Sequence, residues 1–226
     1  MKKFLTGFFA FLLLIVLVAC GNKEEQETEN ATNPTIEITE EEKVDDDQVV
    51  AVINGEEVNG KTYNLVYTQL KLQASHFEED IDLEEIKSAT IESLIDRQLL
   101  LQQAREVGIE ITDEMVNEKL DTFKSENREA FDTLLAQYQI TEEDLKDQLK
   151  YELAMNEYIN ETIEVSVTDK EIEEHYEKAK EGNDEIPELD EIKSNLKSQI
   201  LNQKKIEELE EKINKVKEKA TIEEKI

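Results

Sequence analysis

Apolar and polar residues recur along this chain with periods that predict helix through most of its length. In the stretch Ala89 to Ile109, ATIESLIDRQLLLQQAREVGI, the first half places Ile91, Leu94 and Ile95 on one helical face. The second half does not keep to that face. At about 100° per residue Leu99, Leu100 and Leu101 point in three directions, and Ala104 and Val107 fill the angles between them. A helix apolar on most sides needs neighbours on most sides, so this stretch is the expected central rod of an all-α core. Gly108 supplies the left-handed residue that commonly closes a helix.

Upstream, VVAVINGEEVNG has a different period. Val49, Val50, Val52 and Ile53 form a β-branched run, and Asn54-Gly55 is the dipeptide a two-residue hairpin turn prefers before Glu56 to Val58. Two strands are marginal alone, and the far end, Ala220 to Ile226, is the expected donor of a third. Between Lys61 and Phe77, the residues Tyr63, Val66, Tyr67, Leu70 and Ala74 recur at helical spacing, and Asp82 precedes the rod. Thr112 opens a helix with Val116, Leu120 and Phe123 on one face, and Phe131, Leu134, Leu135 and Tyr138 mark a shorter one. Thr141 caps the next, whose stripe runs Leu145, Leu149, Leu153 and then Met155, Tyr158 and Ile159. Thr168 and Glu171 form a capping box before a helix through Ile172, His175, Tyr176 and Ala179 that ends near Gly182. Pro187 then starts a long helix marked by Ile192, Leu196, Ile200, Ile206, Leu209, Ile213, Val216 and Ala220. From Ile206 the three-four spacing also suits a coiled-coil seam, which makes a homodimer an alternative use of this arm.

Composition agrees with a mainly α fold carrying one small hairpin, since six glycines and two prolines in 226 residues are too few for a turn-rich β architecture. A net charge of -30 would be repelled by phosphate backbones and by anionic lipid head groups, so nucleic acid is not an expected partner. With 56 acidic residues, neighbouring carboxylates carry no catalytic meaning. His76 has no Ser, Cys or second His nearby to activate and reads as an exposed terminal histidine. No glycine-rich run with Lys-Ser/Thr offers a nucleotide site. No catalytic residue, metal or cofactor is assigned.

The first residues, MKKFLTGFFAFLLLIVLVAC, follow the layout of a secretory signal, with Lys2 and Lys3 ahead of an apolar run. Leu17-Val18-Ala19-Cys20 resembles a bacterial lipobox, which implies removal of residues 1–19 and lipidation of Cys20, the single cysteine of the chain. Two acyl chains suffice to hold a protein at a membrane. Residues 20–48 are then expected as a disordered, self-repelling acidic tether, with residues 49–226 as the folded part.

Four segments carry a family resemblance: VVAVINGEEV, IESLIDRQLLLQQAREVGIEIT, VSVTDKEIEEHYE and IKSNLKSQILNQKKIEELEEKINKVKEKATIE. Together they resemble the extracytoplasmic foldase-chaperones of the PrsA and SurA type, over roughly Val49 to Ile226. The resemblance implies a helical lobe and a returning C-terminal helix that cradle unfolded secreted polypeptides; without a nucleotide-binding run the holding is expected to need no ATP, and the lipobox suits the outer face of a Gram-positive cytoplasmic membrane. Relatives with the full architecture carry a parvulin prolyl isomerase domain between the last two segments. Here only EGNDEI lies between Lys180 and Pro187, too short for a domain, and no parvulin catalytic residue carries over. The expected client surface is Tyr63, Tyr67, Phe77, Met115, Phe123, Phe131, Tyr138 and Tyr158, in competition with ordinary core packing of the same residues. Tyr151 and Met155 belong to the same apolar set. An isomerase with a shortened insert and a coiled-coil adaptor are the alternative functions.

Overall fold

The computed structural model of the chain describes residues 38–75, 81–126, 128–138, 140–181 and 186–226. Among them are three strands and seven α-helices, in the order β1 (Val49–Ile53), β2 (Glu56–Asn59), α1 (Gly60–Ser75), α2 (Leu83–Glu106), α3 (Asp113–Glu126), α4 (Arg128–Tyr138), α5 (Glu142–Thr162), α6 (Asp169–Lys180), α7 (Leu189–Lys217) and β3 (Ile222–Glu224). They fall into two units, one of residues 38–161 with 213–226 and a smaller one of residues 162–212. The mainly α architecture with a small N-terminal hairpin and a long last helix is as the periodicity predicts. Cys20 and the signal-like residues before it lie outside the described residues, as do His76 and Gly182. No described helix is long and apolar enough to cross a membrane.

In the larger unit the hairpin turns through Asn54 and Gly55, both at positive φ (52° and 84°), the backbone a type I′ turn requires. The expected third strand forms. β3 pairs antiparallel with β1, Ile53 opposite Ile222 and Ala51 opposite Glu224, giving the order β2-β1-β3. Asn54 fastens this junction: its N–H donates to the Thr221 carbonyl at 2.8 Å, and its Oδ1 accepts from the Thr221 N–H at 2.9 Å. Its amide nitrogen also donates to Gln102 Oε1, and Gln102 Nε2 donates to the Ile53 carbonyl, which ties α2 to the sheet.

Helix α2 begins where Asp82 accepts from the Glu84 and Glu85 N–H groups. It closes with the Gly108 N–H donating to the Arg105 carbonyl and the Ile109 N–H to that of Ala104, the paired bonds of a Schellman end. Leu94, Leu99, Leu100 and Ala104 are buried, but Leu101 is half-buried and Val107 is 47% exposed. The rod therefore buries a wide arc rather than its whole circumference, because its last turn runs out to the loop before α3.

The sequence reading requires two corrections. Residues 38–48, expected within a disordered tether, are fastened to α1. Asn64 accepts from the Val44 N–H and donates to the Val44 carbonyl and to Asp46, while Glu42 is buried against Lys71 and Tyr67. The close approach needs Gly60, where an added Cβ would run into the Asp45 carbonyl oxygen and lie 2.8 Å from the Val44 side chain. The folded part thus begins before Val49. In α5 the expected stripe is displaced: Leu145, Leu149 and Leu153 are half-buried, while Gln148, Tyr151, Ala154, Met155, Tyr158 and Ile159 are buried. A polar residue enters the buried face because Arg97 from α2 lies there to meet it.

The smaller unit buries Ile163, Ile172, Tyr176, Ile200 and Leu209. Thr168 caps α6 by accepting from the Glu171 N–H, and the Glu171 carboxylate accepts from the Thr168 N–H at 2.8 Å, the predicted capping box. Lys204 of α7 then reaches that same carboxylate at 2.5 Å and the Ser166 carbonyl at 2.8 Å. Only residues 181–188 join α6 to α7.

Candidate functional site

Most of the aromatic residues expected to face a client belong to the interior. Tyr63 and Tyr67 stack on each other within α1 with ring centroids 5.8 Å apart, and both are at most 2% exposed. Tyr67 is able to be buried because its hydroxyl donates to Glu42 at 3.1 Å. Burial first, then this bond to a carboxylate, raises its pKa. Phe131 is buried with Phe123 edge-on at 6.0 Å and the Lys124 ammonium 4.9 Å from its ring centroid. Tyr158 is buried on α5. In this conformation these four side chains, Tyr63, Tyr67, Phe131 and Tyr158, form core rather than a surface a client touches. Apolar residues at helical spacing, as Tyr63 and Tyr67 are on α1, mark any buried helix face, so sequence alone does not separate the two roles.

Accessible apolar groups remain at one part of the expected set. Met115, in the first turn of α3, is 37% exposed, and Phe123 is half-buried. Val107 and Ile109 leave the end of α2 just before that helix, Val107 exposed and Ile109 half-buried. Phe77 lies outside the described residues, as does the side chain of Tyr138. Among the described residues the accessible members of the expected surface are thus Met115 and, in part, Phe123, both on α3; methionine is a flexible and polarisable side chain suited to varied apolar partners.

A polar constellation sits within the same unit. The Arg97 guanidinium lies 4.1 Å from the centroid of the Tyr151 ring and donates to Gln148 Oε1 at 3.0 Å. Burial lowers the Arg97 pKa from its ordinary value and pushes the Tyr151 hydroxyl up to about 12. Next to Arg97 in sequence, Asp96 lies 2.9 Å from Lys217 at ion-pair distance, and burial raises its pKa against the pull of that lysine. Lys217 also approaches Glu92 at 3.3 Å. The one available signal for this cluster was a polar triplet, Asp96-Arg97-Gln98, interrupting the apolar rod. Among the described residues no group of three or more His, Cys, Asp or Glu side chains is placed to hold a metal ion.

Comparison with known proteins agrees with this architecture. Residues 2–159 match the SurA-like N-terminal domain. The chain is 26% identical over 195 residues to the foldase protein PrsA of Caldanaerobacter subterraneus, covering 80% of this chain and 54% of that protein. It is 29% identical over 146 residues to the foldase protein PrsA of Clostridium botulinum, covering 56% of this chain and 44% of the relative. A shorter match, 37% over 67 residues, links it to the foldase protein PrsA 2 of Bacillus cereus, covering 29% of this chain and 22% of the relative. The chain spans about half the length of the first of these relatives. A hairpin leading into a helical lobe, with the domain match running from the N-terminal region to the end of α5, places this chain in the SurA-like N-terminal domain family.

Proposed function

We infer that this protein is a holding chaperone for unfolded secreted polypeptides, working without ATP on the outer face of the cytoplasmic membrane and tethered there through a lipid on Cys20. The observation that carries this reading is the domain match over residues 2–159 together with relatives named as foldases. Holding requires weak, unselective apolar contact with a client and a means of keeping the complex soluble. Met115, Phe123 and the neighbouring Val107 offer the first, and a net charge of -30 offers the second through mutual repulsion of loaded molecules. Release then follows from client folding and mass action.

The direct junction of α6 to α7 through residues 181–188 supports a chain without an isomerase domain at that point. A seam for dimerisation has less to offer than the spacing suggested, since Leu209 and Ile213 are already buried in the single chain. The test is light scattering from a denatured client diluted into the purified chain lacking residues 1–19. Suppressed aggregation at low stoichiometry is expected; scattering unchanged by the protein would defeat the holding role. Substituting Cys20→Ser is expected to move the protein from the membrane fraction to the medium.

A further inference from the structure

Arg97 carries a charge that no carboxylate of the described residues meets directly. It makes no ion pair among them, and its contacts are the single hydrogen bond to Gln148 Oε1 and the face of Tyr151. Asp96, next to it in sequence, lies 2.9 Å from Lys217, and Asp147, whose charge acts on it, lies 3.4 Å from Lys61. A guanidinium presents five N–H donors, so most of the Arg97 fork is unused. Gln148 is 6% exposed, and its amide nitrogen has no hydrogen-bond partner among the described residues. The orientation of that amide is fixed by chemistry, because turning it over would aim N–H groups at a cation. Two helices therefore bring one buried, unpaired amide donor beside a guanidinium with N–H groups to spare, and a buried donor left unpaired is costly unless something else supplies the acceptor.

The missing acceptor has a definable character. It must be an oxygen to satisfy the donors, and negative to balance a half-buried cation. A carboxylate meets both needs, spanning the edge of the guanidinium with its two oxygens while a remaining lone pair accepts from Gln148 Nε2. The Tyr151 ring, stacked on the guanidinium, keeps water from one face and holds the fork in place. A neutral carbonyl satisfies one donor and leaves the charge unbalanced.

We propose that Arg97 and Gln148, backed by Tyr151, form a carboxylate-binding site that receives the free C-terminus or an acidic side chain of an unfolded polypeptide. This assignment rests on the reading of the chain as a polypeptide-binding protein. It adds a polar anchor to what is otherwise a greasy and unselective contact.

The test titrates the chain lacking residues 1–19 with three N-acetylated alanine peptides: one with a free C-terminal carboxylate, the same peptide amidated, and an amidated peptide containing one glutamate. The readout is the Arg97 Nε–Hε resonance, assigned by its loss in Arg97→Lys. The plain amide is expected to leave it unmoved. A shift with the free acid alone identifies the chain terminus as the ligand, a shift with the glutamate peptide alone identifies the side chain, and a shift with both admits either. Arg97→Lys retains charge but loses the fork, and affinity for the responding peptide is expected to fall about tenfold or more. Gln148→Met removes both the unpaired amide nitrogen and the acceptor of Arg97, and it is expected to weaken binding of the responding peptide; unchanged affinity for that peptide in the folded variant overturns the part given to Gln148. Equal binding of amide and acid, or no peptide moving the resonance at millimolar concentration, overturns the site. Aggregation suppression by the unaltered chain with no carboxylate response sinks the site alone, and carboxylate binding without aggregation suppression sinks the holding role alone.

Discussion

Two lysine–glutamate pairs of nearly equal length do different work in the two units. Lys71 and Glu42 meet at 2.6 Å with side chains only 10% and 8% exposed, and they fasten residues 38–48 to α1 in the larger unit. Lys204 and Glu171 meet at 2.5 Å with side chains 33% and 34% exposed, and they fasten α7 to the start of α6 in the smaller one. The buried pair has given up water and depends on each of its bonds: Lys71 twice, Tyr67 and Thr39 all contact Glu42. Burial opposes ionisation of Glu42, yet these bonds together hold its carboxyl below the ordinary value. The exposed pair keeps water as an alternative partner, so its loss is tolerated. Matching geometry thus gives a structural requirement in one place and an adjustable link in the other.

Breaking the buried pair from one side gives the largest expected effect. Lys71→Met leaves Glu42 buried and unpaired, and urea unfolding is expected to show a loss of about 3–5 kcal/mol. Adding Glu42→Leu is expected to recover most of it, since an apolar pair of similar volume removes the uncompensated charge. No recovery in the double variant contradicts the burial argument. Next in size, Leu100→Ala in the core of the larger unit is expected to cost about 2–5 kcal/mol by thermal denaturation. In the smaller unit Thr168→Ala removes the α6 cap, and a cost of about 1 kcal/mol is expected.

The smallest effects sharpen the contrast through solvent conditions. Glu171 is held down to about 2 by Lys204 first, then by the Thr168 N–H and hydroxyl, against an ordinary value of 4.5. A depressed folded pKa stabilises fully above the ordinary value and loses that contribution as pH falls toward about 2. Lys204→Met is therefore expected to start less stable than the unaltered chain at neutral pH, to lose less stability through that window, and to meet it near pH 2. Added salt is expected to weaken the Lys204 link more than the Lys71 link, because screening acts mainly on exposed charges. Equal salt sensitivity of the two would remove the distinction.

Local signals in the sequence were read well because their chemistry is local. Asn54-Gly55, Asp82, Gly108, Thr141 and Thr168 each act within a few residues, and each stands where its pattern placed it. The return of Ile222 to Ile53 was also legible, because a two-stranded hairpin lacks enough partners. What escaped depends on distant pairs. Glu42 looked like one more charge in an acidic run, and its partner Lys71 lies 29 residues away on a helix face that otherwise reads as apolar. Gln148 and Arg97 are 51 residues apart, and neither residue alone announces the other. The aromatic residues were expected to line a client surface, in competition with core packing, and a stripe that lines a groove and one that fills a core have the same spacing.

The strand that completes the sheet comes last. Thr221 bonds to Asn54 across 167 residues of intervening chain, so β1 has only β2 beside it until nearly all the helices have been made. Closing so long a loop is entropically slow, and an unpaired edge on β1 is open to other extended chains in the meantime. A ribosome or translocation channel that releases the molecule from its amino end therefore hands out an unfinished lobe, and its final few residues act as the latch that ends the wait.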